Sequence, residues 1–255
     1  KVAVVPNLGG VTLEPGVEDR IRAEAAALIA STGMVQVDVV VEPPNLAAQW
    51  MLGNLATLLA ELGPLWPGCA DDLTDEVAVG LFLAEAFYNL QTAAEAEKLR
   101  VAANQAMAAA FDEVDFVIAA TNPGPAFAAD AATSNSDADL LDFVKSHWLA
   151  RYAVRGALLG TRLASSFAPR LPNTLLDAAS ARFPEMVRMG ALTIISNVYG
   201  NPAVSIPAGT LNGLPVGMQV LGRHHEDALL FDVALAVERD RPWPLVAPGA
   251  AAAAA

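Results

Sequence analysis

Residues 197–222 read NVYGNPAVSIPAGTLNGLPVGMQVLG, and this stretch decides the fold. Two runs of strand-forming residues, 203–206 and 216–221, flank the dipeptide Asn212-Gly213. Asn-Gly is the strongest short-range signal for a hairpin, because both residues readily adopt the positive φ that a type I′ turn requires. The stretch therefore predicts two antiparallel strands joined by a short loop.

Further strands are predicted upstream of this hairpin. Residues 2–5 and 116–120 read VAVV and FVIAA, two short apolar runs; Pro6 ends the first, and Thr121-Asn122-Pro123 follows the second. Residues 16–32 have apolar positions at helical spacing, and residues 36–41 read QVDVVV, which predicts another strand. A strand, a helix and a strand in succession predict a parallel pair with a right-handed crossover.

Helical patterns dominate the rest of the chain. The predicted helices cover residues 46–62, 75–88, 92–111, 140–163, 175–195 and 227–239, and residues 128–139 are predicted to form a loop. Thr92, with Glu95 three residues later, predicts a capping box at the start of the third helix. We therefore predict an α/β fold in which helices cover a mixed β-sheet. Residues 1–249 are expected to form one partial domain, and residues 250–255 an alanine tail.

Composition excludes several classes of protein. The chain has 255 residues, is 54% hydrophobic and carries a net charge of −13, so it can fill a sizeable core but offers phosphate groups no basic cluster. We expect no direct binding of nucleic acid. Prolines and asparagines interrupt the long uncharged stretch 189–222, so no membrane span is expected. A single cysteine, Cys69, permits no intrachain disulfide and fits a cytoplasmic location.

The sequence contains no complete catalytic or metal-binding motif. The three histidines are His147, His224 and His225, and none has the spacing of a metal site. Gly9-Gly10 follows a strand but is not part of a phosphate-binding motif, and no G-x-S-x-G nucleophile elbow is present. The sequence therefore predicts neither a metal nor a cofactor.

The hairpin stretch resembles a motif of the amidase signature family. Residues 197–209 match the family pattern N-x-x-G-x-P-A-x-x-x-P-x-G, and residues 213–222 match its G-L-P-V-G-x-Q strand in register. Positions in the next helix, Asp227, Leu230, Ala234 and Glu238, fit as well. The first residues are similar to the strand that opens the C-terminal half of these proteins, so the resemblance covers nearly the whole chain and implies the C-terminal half of an amidase-signature core.

The resemblance implies hydrolysis of linear amides by a Ser-Ser-Lys triad and an oxyanion-binding loop rich in glycine and serine. That loop and its lysine belong to the N-terminal half of the family. No Gly-Ser-Ser-Gly occurs in this sequence, and Lys1, Lys98 and Lys145 lie outside the family's lysine context. We therefore expect no catalytic residue in this chain, which would be a truncated piece that is inactive alone.

Two other functions stay open. The chain could be a non-catalytic subunit or pseudoenzyme that docks a partner chain, or the A subunit of a tRNA-dependent amidotransferase. A small amide is the expected substrate once the N-terminal half is present, and the isolated chain is expected to self-associate through unpaired strand edges. The residues expected to line the substrate pocket are Asn197, Tyr199, Gly200, Asn201, Ser205 and Gln219. A structural role is the alternative for this set, with Asn197 capping a helix end.

Overall fold

A four-stranded mixed sheet organises the part of the chain that carries the hairpin motif. The computed structural model describes residues 1–127 and 190–243, with positions 152, 153, 156 and 160 between them. The strands are β1 (Val2–Val4), β2 (Phe116–Ala120), β3 (Ala203–Leu211) and β4 (Leu214–Gly222), in the spatial order β1-β2-β4-β3. Strand β1 is parallel to β2, whereas β4 is antiparallel to both β2 and β3. The predicted mixed sheet is confirmed.

The helices follow the sequence pattern closely. Their bounds are α1 (Val17–Thr32), α2 (Ala47–Leu62), α3 (Asp75–Phe87), α4 (Leu90–Glu113), α5 (Ile194–Tyr199) and α6 (Asp227–Asp240), with a 3-10 turn at Ala70–Asp72. None of the helices in these ranges is long and apolar enough to cross a membrane. The prediction for residues 128–139 lies outside the described residues, as does most of the predicted helix 140–163, whose described positions 152, 153, 156 and 160 are helical. The predicted helix 175–195 is described only from residue 190, where residues 190–193 form turns and α5 begins at Ile194.

The chain forms two compact units. The sheet unit consists of Lys1–Glu42, Ala106–Ala126 and the residues from Tyr199 onward; the helical unit contains Pro43–Gln105 and the described residues up to Val198. In the helical unit, Trp66 and Phe82 meet edge-to-face with ring centroids 4.6 Å apart, and Leu81 is fully buried beside them. This cluster is the aromatic core of the helical unit.

In the sheet unit, α1 and α6 pack against the sheet. The residues that α1 buries are spaced three or four apart, which places them on one helix face: Val17, Ile21, Ala25 and Leu28. On α6 the buried residues are Leu230, Val233 and Val237, and Leu230 lies so close to Gly222 that a Cβ there would come within 3.2 Å of its Cγ. Close helix packing at the end of β4 therefore favours glycine.

Residues 36–41 do not form the strand that their sequence predicts. Only Gln36 bridges to Val2, supported by backbone bonds of 3.0 Å that join Val2 to Val35 and to Val37. No ladder follows this bridge: Val4 and Val5 line a small cavity of about 170 Å³ together with residues 37–40. The parallel partner of β1 in a continuous ladder is β2 instead.

The N-terminus of α4 also differs from the prediction. Asn89, not Thr92, is the capping residue, because its Oδ1 accepts the backbone N–H groups of Gln91 and Thr92 at 3.0 Å. The Thr92 hydroxyl in return accepts the N–H of Asn89 at 3.0 Å. The capping box is present but lies three residues earlier, and Thr92 occupies its inner position.

Candidate functional site

The candidate site lies at the end of the sheet where β2 stops. Strands β1 and β2 are parallel, so their carboxyl ends share one edge of the sheet, and loops after such strands commonly carry binding groups. Thr121 is the first residue after β2, and its backbone N–H donates to the carbonyl oxygen of Gly217 at 2.8 Å. The antiparallel strand β4 therefore begins at the same edge.

Two hydroxyl groups meet above β4 at this edge. The Oγ1 of Thr121 and the Oγ of Ser205 lie 2.7 Å apart, although β4 runs between the strands that carry them. The intervening residue is Gly217; a Cβ there would lie 2.8 Å from Thr121 Oγ1 and 3.1 Å from Ser205 Oγ. The hydroxyl pair exists because Gly217 has no side chain. Each hydroxyl has one donor and two acceptor positions, and the bond between them uses one donor and one acceptor.

Gln219 supports this edge from inside the sheet unit. Its side chain is 3% exposed, and its Nε2 donates to the carbonyl oxygen of Ala120 at 2.9 Å. Ala120 directly precedes Thr121, so the bond fixes the point where the chain leaves β2. Gln219 therefore holds the hydroxyl pair in place from a buried position.

Asn201 links the two ends of the hairpin. It is 6% exposed, and its Nδ2 donates to the carbonyl oxygens of Pro202 at 3.1 Å and Gly222 at 3.2 Å. These bonds join the start of β3 to the end of β4. The geometry indicates a structural role for Asn201. A structural role is the alternative to substrate binding that the sequence left open for these residues.

Tyr199 and Gly200 form the approach to β3. His224 lies against Tyr199, with ring centroids 4.3 Å apart, and its Nε2 donates to the Tyr199 carbonyl oxygen at 2.9 Å. Burial raises the pKa of the Tyr199 phenol above its usual value, and the carboxylate of Asp112 raises it further. Gly200 has φ +84°, a left-handed conformation that favours glycine.

Asn197 belongs to the helical unit, whereas the other five candidates belong to the sheet unit. It is an exposed residue of α5 in the helical unit, and it lies within the helix rather than beyond its end. Of the six candidates, Ser205 and Gln219 support the hydroxyl pair, whereas Tyr199, Gly200 and Asn201 shape the start of the hairpin.

Glu14, which the sequence analysis did not single out, adjoins this edge from the β1 side. The backbone N–H of Glu14 donates to the Pro123 carbonyl oxygen at 2.8 Å, and a Cβ on Gly124 would lie 2.8 Å from Glu14 Oε2. The loop after β1 therefore contacts the loop after β2. A cleft of about 620 Å³ follows this loop, lined by residues 7 and 9–16 together with Glu18 and Asp19. The available signal was an acidic residue placed directly before Pro15.

No described lysine serves the hydroxyl pair as a base. Lys98 pairs with Glu95 on α4 at 2.5 Å, and Lys1 precedes β1, at the opposite end of that strand. Across the described ranges, no group of three histidine, cysteine or acidic side chains could hold a metal ion. The Oγ of Ser205 has the hydroxyl of Thr121, not a basic side chain, as its hydrogen-bond partner.

The sequence is similar to curated proteins over a limited segment. No protein-family model matches the chain. The A subunit of the glutamyl-tRNA(Gln) amidotransferase of Methanospirillum hungatei is 36% identical over 74 residues, which are 29% of this chain and 17% of that protein. The corresponding protein of Thermotoga maritima is 46% identical over 55 residues, 22% of this chain and 12% of that protein.

Solved structures match almost the whole chain. A bacterial aryl acylamidase of the amidase signature family superimposes with a TM-score of 0.61 at 18% identity, covering 95% of this chain and 44% of its own. The Thermotoga maritima amidotransferase protein gives 0.54 at 22% identity, and 6-aminohexanoate cyclic dimer hydrolase gives 0.59 at 21%. The chain therefore spans less than half the length of these structures. The resemblance to the C-terminal half of amidase signature proteins is confirmed, and the fold is theirs.

Proposed function

We propose that this chain, which has the fold of the amidase signature enzymes, is the C-terminal portion of a hydrolase of linear amides. Cleavage of the C–N bond would use a Ser-Ser-Lys triad on residues outside this chain. The residues present here would supply the sheet and part of the wall of the substrate pocket. We also propose a cytoplasmic location, on the argument from the single cysteine.

The observation that carries this proposal is the arrangement around Gly217. The family-like hairpin places the hydroxyls of Thr121 and Ser205 at the end of β2, directly above a residue without a side chain. Another backbone can approach a sheet closely at such a glycine. Hydroxyl groups beside the glycine can form hydrogen bonds with the amide groups of that second backbone. A neighbouring catalytic loop would find both features on this surface.

The same residues support the expectation that the chain is inactive alone. A serine hydroxyl needs an adjacent base to attack an amide, and Ser205 has Thr121 as its partner instead. The sequence has no Gly-Ser-Ser-Gly run to supply oxyanion-binding N–H groups. The proposed role is therefore that of a scaffold which a second part must complete.

A second candidate is the A subunit of a tRNA-dependent amidotransferase. The curated relatives favour it, because the proteins from Methanospirillum hungatei and Thermotoga maritima both carry that name. The aryl acylamidase and the cyclic dimer hydrolase favour a hydrolase of small amides. A third candidate is a non-catalytic protein that docks a partner chain, and the genomic sequence upstream of Lys1 discriminates it from the others.

Amide turnover tests the proposal. The purified chain is incubated with an anilide, an aliphatic amide and glutamine, and the released amine or ammonia is measured. We expect no turnover by the chain alone, and hydrolysis once an upstream segment with a Gly-Ser-Ser-Gly run and a lysine is expressed with it. Ordinary saturable hydrolysis by the 255-residue chain would contradict the proposal, and release of ammonia from glutamine alone would favour the amidotransferase.

A further inference from the structure

Strand β3 lies at the outer edge of the sheet. It is the last strand in the order β1-β2-β4-β3, so among the described residues only β4 pairs with it. The side chains of Ala203, Ser205 and Pro207 are exposed on this strand. An uncovered edge with small side chains is a template on which another strand can pair.

The hydrogen-bond register shows which backbone groups point outward. Gly222 donates its N–H to the carbonyl oxygen of Pro202 at 3.0 Å, so this pair is bonded across the ladder. Bonded pairs alternate along antiparallel strands, so Val204 and Ile206 bond to β4. The N–H and C=O groups of Ala203 and Ser205 therefore point away from β4, where a further strand would lie.

The free stretch is bounded at its C-terminal end. Pro207 is the next outward-facing position, and proline has no N–H to donate. Beyond it the register shifts, and the carbonyl oxygen of Thr210 already accepts a bond from Arg20 Nη2 at 3.3 Å. A pairing strand can therefore form a full ladder only with Ala203 and Ser205.

We propose that this edge binds the same edge of a second copy of the chain. In an antiparallel pair related by a two-fold axis through Val204, Ala203 of each copy lies opposite Ser205 of the other. Both residues then exchange both of their backbone bonds, and neither copy needs a donor from Pro207. The result is one continuous sheet of two hairpins across the axis.

Charge favours a second copy at this position. The chain carries a net charge of −13, so most faces of two copies repel one another. Residues 189–222 contain no charged side chain, and the β3–β4 hairpin lies wholly within this stretch. Two copies can therefore meet along β3 without placing like charges opposite each other.

Two substitutions at Ser205 test the pairing. Ser205→Pro removes an outward N–H but no bond of the β3–β4 ladder, and Ser205→Ala keeps that N–H while losing the same hydroxyl. Sedimentation equilibrium over a range of concentrations should give twice the 26.5 kDa mass for the unmodified chain and for Ser205→Ala. Ser205→Pro should weaken dimerisation by about tenfold or more.

A second pair of variants tests the register. In the proposed alignment, Ala203→Glu with Ser205→Lys places opposite charges across the interface, whereas Ala203→Lys with Ser205→Lys places like charges there. We expect the second double variant to dimerise about threefold to tenfold more weakly than the first, although it lowers the net negative charge. Circular dichroism confirms that each variant is folded.

Four results would overturn the inference. A chain that is monomeric at every concentration has no such interface. A dimer that Ser205→Pro leaves intact uses another surface. Equal dimerisation of the two charge variants excludes pairing centred on Val204. If instead an added N-terminal half removes the dimer and protects the Ser205 amide from hydrogen exchange, that half is the occupant of the edge, and the second copy is not.

Discussion

The hydroxyl oxygens of Thr121 and Ser205 are 2.7 Å apart, and they meet across β4 directly above Gly217. The two residues are 84 positions apart in the sequence. Their contact depends on the strand order β2-β4-β3 and on the absence of a side chain at the middle strand. This relationship gives the candidate site its shape, and it leads to the first prediction.

Gly217→Ala should destabilise the sheet unit. The new methyl group would lie 2.8 Å from Thr121 Oγ1 and 3.1 Å from Ser205 Oγ, so the hydroxyl pair must separate. We expect a loss of about 1–3 kcal/mol in the free energy of unfolding, measured by urea denaturation. Gly10→Ala is the matched control, because a Cβ at Gly10 meets nothing within 4 Å. Equal stability of the two variants would show that the crowding at Gly217 is absent.

Asn201→Ala should destabilise the chain much more than Asn197→Ala. The first substitution leaves the carbonyl oxygens of Pro202 and Gly222 without the Nδ2 donor that they share in a buried position. We expect a loss of about 1–3 kcal/mol for Asn201→Ala and a change within about 0.5 kcal/mol for the exposed Asn197. Thermal unfolding followed by circular dichroism measures both. The reverse order would mean that Asn201 does not tie the hairpin ends.

Asn89→Ala should shorten or destabilise α4. Asn89 Oδ1 satisfies the N–H groups of Gln91 and Thr92, which have no partner inside the helix. We expect a cost of about 0.5–2 kcal/mol, whereas Asn89→Ser should retain most of the stability because serine also caps well. Amide hydrogen exchange at residues 91 and 92 measures directly the loss of the hydrogen bonds to Asn89. Unchanged exchange in Asn89→Ala would contradict the assignment of the cap.

Acid should remove the stabilisation that Asp115 provides. In the isolated 255-residue chain, a hydrogen bond from the N-terminal amine of Lys1, at 2.5 Å, lowers the pKa of this carboxyl, and the charges of that amine and of Arg223, 3.1 Å away, lower it further. A lowered pKa stabilises the folded chain at pH values above the unfolded value of about 3.9, and this contribution disappears as the pH falls through the folded value.

The difference in unfolding free energy between the unmodified chain and Asp115→Asn should therefore be constant above about pH 5 and shrink below about pH 4. Because the Asp115 side chain is 40% exposed, the constant difference in unfolding free energy above pH 5 should not exceed about 1 kcal/mol. Urea denaturation at several pH values measures it, with the exposed Asp232→Asn as the control. A difference that grows towards acid would contradict the sign of the pKa shift.

Elements with strong local signals were predictable. The Asn212-Gly213 turn, the apolar run FVIAA and the helical spacing of Val17 to Leu28 all appear in the structure where the pattern places them. The predictions that failed did so because of the groups available to pair with a segment, not because of the intrinsic preference of its residues. Residues 36–41 have a strand-forming sequence, yet they form no ladder after Gln36, and residues 37–40 line a small cavity with Val4 and Val5 instead. Thr92 fits a cap, but Asn89 stands at the bend of the chain and caps instead.

In the candidate site, too, local patterns were predictable and side-chain contacts were not. Glycine, proline and asparagine positions in residues 197–222 were sufficient to identify the hairpin and its family resemblance, because tight turns and close packing admit few other residues there. Side-chain partners were not readable in this way. Thr121 reaches Ser205, Gln219 reaches Ala120, and Glu14 adjoins Gly124 because a sheet brings together segments that are distant along the chain. Local patterns are set by a few neighbouring residues, whereas such contacts arise from strand order and register, which the whole chain establishes together.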